Sequence, residues 1–325
     1  MNEHDIISRL KVKNLDVNSA LKLKFKLRTA VDFVKIGYVS TNYSLDCRAD
    51  ATFRLKNLTE EKVLDTASSN LNCLKRILAW NVEHVILFFR ISSNTIPFAS
   101  HPKNTTNWRD ELRDLLKEIG SYVRNNGIRV SMHPGQYTVI NSERREIIEA
   151  SIRELEYHAN LLDIMGVEGY IQIHVGGRSS GKESGIERFV RGFSLLPENV
   201  AKRLAVENDD KIYTLRDCLS LHRELGVPVV FDNLHHQVNG NGETLSEAFS
   251  LAKDTWRGTP MTDYSSQEPG QMPGVHANTL DENDFREYIG EISRIGDADI
   301  MLEIRDKERS ALRAVEILKA VNLLG

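Results

Sequence analysis

Short apolar segments rich in β-branched residues alternate along the chain with longer segments that mix apolar and polar positions. We predict a strand in each apolar segment, namely Val34–Val39, His84–Phe89, Ile128–Met132, Gly169–Ile173, Arg203–Val206, Val227–Phe231, Gly258–Tyr264 and Asp299–Glu303. These segments are nearly all apolar, which is typical of parallel strands that are covered on both faces.

The longer segments predict helices. One begins at Thr59, and the others are Trp108–Asn125, Ser142–Met165, Gly185–Leu196, Thr214–Leu225, Thr244–Trp256, Asp281–Ile295 and Glu308–Leu323. Thr59 is a candidate N-cap, and Thr244-Leu-Ser-Glu247 fits a capping box. Gly127, Gly166 and Gly226 follow predicted helix ends, where glycine adopts the left-handed conformation easily.

Eight strand–helix units in succession predict an α/β protein with the (β/α)₈ architecture of a TIM barrel. We assign residues 34–325 to this single catalytic domain and residues 1–33 to an N-terminal extension, either helical or mobile. A doubly wound open sheet is the alternative architecture. No Gly-x-Gly-x-x-Gly motif follows the first predicted strand, which disfavours a dinucleotide-binding fold.

Composition narrows the class of protein further. The net charge of −4 gives no overall attraction to nucleic acid, although a locally basic face could still bind it. No apolar segment is long enough to cross a membrane. The three cysteines form no C-x-x-C pair, so we predict reduced thiols and a cytoplasmic protein, with one disulfide plus a spare thiol as the alternative.

Histidine and carboxylate side chains recur at the ends of the predicted strands or in the loops that follow them. The set comprises His101, His133, His174, Glu207, Asp232, His235, His276 and Glu303. A single histidine after a strand is more often structural, but strand ends in a closed barrel converge on one rim. The joint pattern therefore predicts a cluster of metal ligands, because imidazole and carboxylate groups suit Zn, Mn or Fe.

Within this set, Glu207 lies near the middle of the strand order and is the candidate for a carboxylate that bridges two ions. Asp232 and His235 are three residues apart, so each could serve a different ion. Paired ions activate water and stabilise the charge on the attacking and leaving oxygens of a phosphodiester. The pattern predicts a multi-metal hydrolytic site.

Gln136 and Tyr137 end the segment His133-Pro-Gly-Gln-Tyr, a tight turn that carries one polar and one aromatic side chain. A capping loop is one interpretation. The other is a wedge that enters a DNA stack, because tyrosine can replace a displaced base and glutamine can bond to an orphaned one.

Other polar residues near the predicted rim have weaker support. Tyr38 and Asn42 follow the first strand and could line the same mouth. Gly176-Gly177-Arg178 could contact phosphate, but a Gly-Gly pair at a strand exit is common. The candidate phosphate contacts are Arg90, Arg178, Lys182 and Arg305.

At these residues the chain resembles the UV damage endonuclease family and, more distantly, apurinic endonuclease IV. The resemblance covers about residues 34–305. It is carried by Ile36-Gly-Tyr38, Phe89-Arg-Ile, Ile96-Pro-Phe-Ala-Ser-His101-Pro, Ser131-Met-His133-Pro-Gly-Gln-Tyr137, Ala205-Val-Glu207-Asn-Asp, Asp232-Asn-Leu-His235-His236, Thr255-Trp-Arg-Gly, Ser266-Gln267, His276 and Glu303.

The resemblance implies a metal-dependent barrel enzyme that cuts the phosphodiester immediately 5′ of a DNA lesion and leaves a 3′-hydroxyl and a 5′-phosphate. The implied lesions are cyclobutane dimers, 6-4 photoproducts and abasic sites in double-stranded DNA. It also implies metal ligation by the eight residues named above, lesion probing by Gln136 and Tyr137, and active-site contacts by Tyr38 and Asn42. We expect a monomer with two or three divalent ions, Mn first, with Zn, Mg or Co as alternatives.

The seventh predicted strand departs from the family. Bacterial relatives commonly carry Pro-Lys-x-His there, whereas this chain has Pro260-Met261-Thr262-Asp263. We include Asp263 among the candidate ligands, and its carboxylate should favour Mn or Mg over softer metals. Three rival functions stay open on the sequence alone: a sugar isomerase-type barrel, a non-catalytic DNA-damage binding module and a generic apurinic endonuclease.

Overall fold

The computed structural model describes residues 34–321 and residue 323. Eight parallel strands close into a barrel in sequence order, with β1 pairing both β2 and β8. The strands are β1 Ile36–Val39, β2 Phe88–Ile91, β3 Arg129–Met132, β4 Gly169–His174, β5 Leu204–Glu207, β6 Val229–Asp232, β7 Met261–Tyr264 and β8 Asp299–Leu302. The predicted TIM barrel is therefore confirmed, and the open-sheet alternative is wrong.

Helices surround the barrel between successive strands. They are α1 Glu60–Glu83, α2 Trp108–Glu111, α3 Arg113–Asn125, α4 Arg145–Met165, α5 Lys182–Phe193, α6 Glu198–Ala201, α7 Leu215–Leu225, α8 Asn233–Val238, α9 Leu245–Lys253, α10 Glu282–Ile292 and α11 Glu308–Ala320. The main core lies between these helices and the outer face of the strands, where Trp108, Tyr157 and Phe249 are fully buried.

The local signals place the helix ends. The Thr59 side chain accepts a hydrogen bond from the backbone N–H of Lys62 at 3.2 Å, and Thr244 and Glu247 form the predicted capping box. Gly166 and Gly226 follow α4 and α7 with φ angles of 64° and 72°, a conformation in which a β-carbon would be strained. These caps fix where each helix turns back towards the next strand.

The second strand lies further along the chain than predicted. Helix α1 runs to Glu83, residues 84–87 form the turn that follows it, and β2 begins at Phe88. Val85 in this turn has a φ of 61°, which is incompatible with a strand. The prediction of His84–Phe89 followed the apolar residues and excluded Arg90, which is instead an inward-facing strand residue.

The structure also tests the predictions about the cysteines and about membrane-spanning helices. Cys47 in the loop after β1 forms a disulfide with Cys73 of α1, and Cys218 is a buried free cysteine. The prediction of three reduced thiols is therefore wrong, because the fold brings together two cysteines that are 26 residues apart. Within the described residues, no helix combines the length and apolar character that a membrane crossing requires. The N-terminal extension, residues 1–33, lies outside the described part of the chain.

Candidate metal centre

The inner face of the barrel changes from apolar to polar over a distance of two residues along five of the strands. Near the middle, Phe88, Ala205, Val230, Met261 and Met301 form an apolar cluster that is separate from the main core. Strand side chains alternate between faces, so the residue two positions later points inward again. Those later positions carry Arg90, Glu207, Asp232, Asp263 and Glu303, respectively. A polar layer therefore lies directly above an apolar one, at the carboxyl ends of the strands.

Most of the predicted ligands meet in this polar layer. Three groups of side chains each offer ligand atoms that lie within 4.8 Å of one another. The groups are His133, His174 and Glu207; Glu207, Asp232 and His235; and Asp232, Asp263 and Glu303. Glu207 belongs to two of these groups and Asp232 also belongs to two, so the groups are continuous across the barrel.

Glu207 has the central position that the sequence predicted. Its side chain is 1% exposed, with Nε2 of His133 3.2 Å from Oε2 and Nδ1 of His235 3.2 Å from Oε1. Nδ1 of His174 is 3.8 Å from Oε2. Gln172 donates a hydrogen bond to the same Oε2 at 2.6 Å. A buried carboxylate between three imidazoles is an arrangement suited to metal ions.

The hydrogen bonding of these groups fits bound cations. Oε1 of Glu207, Oδ2 of Asp232 and Nδ1 of His174 are buried and have no partner with hydrogen-bond geometry within the described part of the chain. Nδ1 of His235 lies 3.2 Å from this Oε1 but bonds to the carbonyl of Asn208 at 3.0 Å. Buried polar atoms are normally paired, so unpaired ones indicate a missing partner. Nδ1 of His133 lies 3.1 Å from the carbonyl of Pro134, and Nδ1 of His276 lies 2.8 Å from that of Glu303.

A carbonyl oxygen only accepts hydrogen bonds, so these contacts favour a proton on Nδ1 of His133 and of His276. With Nδ1 held in this way, each ring can bind a metal ion through Nε2, which in His133 lies 3.2 Å from Oε2 of Glu207. The donor set and its unpaired atoms therefore fit divalent ions held by imidazole and carboxylate groups.

The pKa shifts of the carboxylates in the polar layer also fit bound cations. Burial by itself raises the pKa of Glu207, but His174, His133 and His235 outweigh it and hold the pKa well below its usual value. Burial also opposes ionisation of Glu303, yet Arg90 lowers its pKa to about 2. For Glu207 and Glu303 the neighbouring cations outweigh the cost of burial.

Two other carboxylates of the layer show the opposite shift. Burial raises the pKa of Asp232 to about 6, although His235 opposes the change. Burial also raises the pKa of Asp263 well above its usual value, against the charge of Arg90. Burial would lower the pKa of His235, but Asp232 and Glu207 raise it to about 11. Without bound ions, the positive charges of the protein do not offset the negative charges of this layer.

A cavity of about 850 Å³ opens above the polar layer. His133, His174, His276 and Glu303 contribute to its lining, together with Gln136 from the loop after β3. Gln136 and Tyr137 are both exposed, and Tyr137 at 84% is the most exposed of the large hydrophobic side chains described. Gln136 therefore lies at the cavity that contains the ligands, and Tyr137 follows it as an exposed ring in the same loop.

Three predicted site residues lie elsewhere. His101 lines a neighbouring cavity of about 300 Å³, where its Nδ1 accepts a hydrogen bond from the backbone of Lys103 at 3.1 Å. It belongs to none of the ligand groups found among the described residues. Its role as a ligand stays a prediction, and the geometry gives it no support.

Tyr38 and Asn42 do not line the mouth, contrary to expectation. Tyr38 is fully buried on the outer face of β1, where its hydroxyl donates to Asn81 of α1 at 2.7 Å and accepts from Asn42 at 2.9 Å. Gly37 and Val39 occupy the inward positions of this short strand, so Tyr38 must point to the helices. The contacts of Tyr38 and Asn42 are structural in this molecule.

The four candidate phosphate contacts fall into different environments. Arg305 is exposed, lines the large cavity and bonds to Asn278 at 3.2 Å. Arg178 is exposed in the loop after β4. Lys182 is paired with Asp217 at 2.5 Å. Arg90 is 2% exposed and lies inside the barrel among carboxylates, so it does not face outward as expected of a phosphate contact.

Two residues of the site were missed in the sequence. Gln172 lies two residues before His174 on β4 and bonds to Glu207 and Asp263 from inside the barrel. Its signal was present, since an isolated glutamine in the apolar segment Ile-Gln-Ile-His has no other place than the inner face. Lys307 lines the large cavity, and burial lowers its pKa. No strand-end pattern marked it, because it lies in the loop before α11.

The fold and site together define a (β/α)₈ barrel with buried histidine–carboxylate clusters at the carboxyl ends of its strands. The profile of the family described as UV-endonuclease UvdE matches residues 34–324. The chain therefore belongs to the UvdE family. It is a nuclease that hydrolyses DNA phosphodiester bonds in the repair of UV damage. This excludes the sugar isomerase and the non-catalytic binding module as its function.

Individual relatives support the same family assignment. The UV DNA damage endonuclease of Clostridium perfringens (strain 13 / Type A) is 39% identical over 296 residues, which cover 89% of this chain and 72% of that protein. The enzyme of the same name from Bacillus cereus (strain 03BB102) is 32% identical over 302 residues, or 89% of this chain and 95% of that protein. The solved structure of SacUVDE has a TM-score of 0.88 and 56% identity, covering 90% of this chain and all of that one.

More distant solved structures share the fold alone. Endonuclease IV from Thermus thermophilus has a TM-score of 0.55 at 15% identity, covering 88% of this chain and 98% of that one. D-psicose 3-epimerase from Clostridium cellulolyticum H10 has a TM-score of 0.56 at 12% identity, covering 90% of this chain and all of that one.

Proposed function

We propose that this chain is a metal-dependent endonuclease that cuts DNA immediately 5′ of UV photoproducts, leaving a 3′-hydroxyl and a 5′-phosphate. One observation carries the proposal. Glu207, buried and partly unpaired, lies between His133, His174 and His235 at the base of a cavity whose rim carries an exposed Gln-Tyr pair. A ligand cluster and a feature suited to probing DNA thus share one opening.

The proposed ligands are the side chains of the polar layer, and they would hold divalent ions, with Mn as the first candidate and Zn, Mg or Co as alternatives. They are His133, His174, Glu207, Asp232, His235, His276 and Glu303. Such ions supply an activated water and positive charge at the leaving oxygen. Nitrogen and oxygen ligands together accommodate Mn without excluding the other metals.

The chain itself provides the remaining functions. Backbone carbonyls contact Nδ1 of His133 and of His276, so the two rings are oriented before substrate arrives. Arg305 and Lys307 line the cavity wall near Glu303 and would hold the phosphates on either side of the cut. These contacts orient the backbone of any sequence, as a repair enzyme requires.

Lesion recognition would use the rim. A cyclobutane dimer or a 6-4 photoproduct stacks poorly, so extruding it costs less than extruding an intact dinucleotide. Tyr137 would fill the space left in the stack and Gln136 would bond to the orphaned bases. An abasic site leaves a gap that the same pair could fill, so we propose abasic sites as further substrates. A monomer in the cytoplasm stays a prediction.

The test is nicking of a 5′-labelled duplex that contains a single pyrimidine dimer, with Mn or with a chelator. We expect one product that ends 5′ of the dimer and can be extended by a polymerase, none with chelator, and none from undamaged duplex. A parallel abasic duplex tests the broader substrate range. Full activity in chelator, or retention of nicking by Glu207→Ala with Mn, would overturn the proposed function.

A further inference from the structure

Arg90 is a cation within the polar layer of the barrel. Its Nη2 donates to Oδ1 and Oδ2 of Asp263 at 2.7 and 2.9 Å, and to Oε1 of Gln172 at 2.9 Å. Its Nη1 donates to Oε1 of Glu303. The guanidinium therefore occupies the same neighbourhood as the third group of candidate ligands, Asp232, Asp263 and Glu303.

Asp263 is fully engaged by protein donors. Its side chain is wholly buried, and both oxygens accept hydrogen bonds from Arg90. Oδ2 also accepts from Nε2 of Gln172 at 2.5 Å. In contrast to Glu207 and Asp232, Asp263 has no oxygen atom among the buried atoms that lack a hydrogen-bond partner. Asp263 thus has the contacts of a salt-bridge partner, whereas Glu207 and Asp232 have those of ligands.

Gln172 connects the two kinds of carboxylate. It donates to Glu207 at 2.6 Å and to Asp263 at 2.5 Å, and it accepts from Arg90. A side-chain amide has two N–H donors and one carbonyl acceptor, so this set uses both donors and the acceptor. Below Asp263, Met261 belongs to the apolar cluster and offers no charged group. Arg90 is consequently the cation that Asp263 contacts directly.

The charge of the layer agrees with this division. Glu207, Asp232, Asp263 and Glu303 carry four negative charges when ionised, and Arg90 carries one positive charge. Two divalent ions would bring the sum of these groups to about +1, and three would bring it to about +3 before a phosphate enters. Crowded like charges in a buried site are unfavourable, so the smaller excess is preferred.

We propose that Arg90 is a built-in cation that takes the place of one metal ion. Asp263 is then a salt-bridge partner of Arg90 and not a metal ligand, and the centre holds two divalent ions rather than three. This inference rests on the proposed metal dependence and specifies its stoichiometry. It also assigns a role to Asp263, the last residue of the segment Pro260-Met261-Thr262-Asp263.

The first experiment counts ions without measuring activity. Metal-free protein is titrated with Mn, and the bound ions per chain are counted by native mass spectrometry and elemental analysis. We expect two ions in the unaltered protein, two in Asp263→Asn, and fewer than two in Asp232→Asn. Three ions in the unaltered protein, or the loss of one in Asp263→Asn, overturns the inference and leaves the proposed function intact. A protein that binds no Mn contradicts both.

The second experiment removes the guanidinium. Arg90→Met frees Asp263 and Glu303, so we expect this variant to bind one ion more than the unaltered protein. Arg129→Met is the matched control, because it removes an arginine from a buried ion pair with Asp299, outside the ligand groups, and should leave the count at two. A count of two in folded Arg90→Met overturns the replacement of an ion by Arg90. If Arg90→Met does not fold, the Asp263→Asn count decides.

Discussion

Arginine–carboxylate pairs lie inside the barrel at both of its ends, and they differ in how completely the carboxylates around them are hydrogen-bonded. At the amino-terminal end, Arg129 pairs with Asp299 at 2.8 Å. At the mouth, Arg90 pairs with Asp263 at 2.7 Å. Both pairs link distant parts of the sequence across the barrel. They differ only in the end of the barrel at which they lie and in the groups that surround them.

The pair at the amino-terminal end, Arg129 and Asp299, has all its hydrogen-bond partners within the chain. Asp299 accepts from Arg129 and from the backbone N–H of Lys35, and Arg129 also donates to the carbonyls of Thr259 and Pro260. The guanidinium of Arg129 in addition lies over the aromatic rings of Phe88 and Trp256. Each charged group at this end has its partners within the chain, which is the pattern of a structural ion pair.

The pair at the mouth, Arg90 and Asp263, belongs to a layer in which some buried polar atoms lack hydrogen-bond partners. Beside Arg90 and Asp263 lie Glu207 and Asp232, each with a buried oxygen that has no hydrogen-bond partner within the described residues. Leaving such atoms unpaired costs free energy, so a fold retains them where a ligand completes them. Among these buried carboxylates, the two with an unpaired oxygen lie at the mouth, whereas both oxygens of Asp299 at the amino-terminal end accept hydrogen bonds.

The strongest test of this comparison alters Glu207, the carboxylate with an unpaired oxygen. We expect Glu207→Gln to abolish nicking of the dimer-containing duplex, with a loss of at least about 100-fold, since even outer partners of metal ligands contribute 10–100-fold. The measurement is the single-turnover rate with Mn, alongside circular dichroism to show that the fold is kept.

Glu308→Gln is a matched control for this variant. Glu308 is also fully buried, but both of its oxygens accept hydrogen bonds, from Tyr43 and Ser44. We expect Glu308→Gln to lower stability and to keep the nicking rate per folded molecule. Equal loss of nicking in both variants would contradict the link between unpaired atoms and function.

The complementary change alters the satisfied pair. Asp299→Asn leaves the half-buried Arg129 without a counter-charge, and the loss of one hydrogen-bonding partner of such a group costs about 1–3 kcal/mol. We expect the free energy of unfolding in denaturant to fall by about this amount while the nicking rate per folded molecule stays unchanged. A nicking defect in folded Asp299→Asn would show that the lower end also contributes to catalysis.

The same contrast explains what the sequence could predict. Strand periodicity and helix caps predicted the barrel, because each is a local preference that the fold obeys. Glu207, Asp232 and His235 were found because parallel strand ends must converge. Arg90 was placed outside the second strand because that strand begins four residues later than the apolar pattern indicated, a shift that depends on where α1 ends. Its role as a phosphate contact stays a prediction.

Other errors came from orientation and pairing over long distances. A four-residue strand leaves the choice of inward face undetermined, so Tyr38 was expected at the mouth although Gly37 and Val39 face inward. The pairing of Cys47 with Cys73 depends on how the loop after β1 packs on α1, which no local pattern records. Such features follow from tertiary packing and not from the residues themselves.

A third prediction sharpens the comparison at the surface of the mouth. Tyr137→Ala removes an exposed ring that would stack in the gapped DNA, and such stacking contributes about 1–3 kcal/mol per base. We expect weaker binding of the dimer-containing duplex by about 10-fold or more at fixed salt, measured by fluorescence anisotropy. Leu195→Ala is the control, because Leu195 is also exposed, at 61%, but follows α5 at the opposite end of the barrel.

The smallest effect concerns a second ion pair at the amino-terminal end. Arg203 lies 2.6 Å from Asp163 at the end of α4. Burial opposes ionisation of Asp163, but Asn199 and Arg203 outweigh it and lower its pKa. A lowered pKa in the folded state adds stability above the unfolded pKa of about 3.9, and that stability is lost as pH falls through the folded pKa.

We therefore expect Asp163→Asn to be less stable than the unaltered protein at pH 7, by about 0.2–1 kcal/mol because the pair is half-exposed. The difference should shrink towards zero as the pH falls below about 3.9, and nicking at pH 7 should be unaffected. Urea unfolding of both proteins across this pH range measures the difference directly, because all other titrating groups are shared and cancel. A difference that grows on acidification would mean that Arg203 destabilises Asp163, and the lower end would then contain an unsatisfied charge like the mouth.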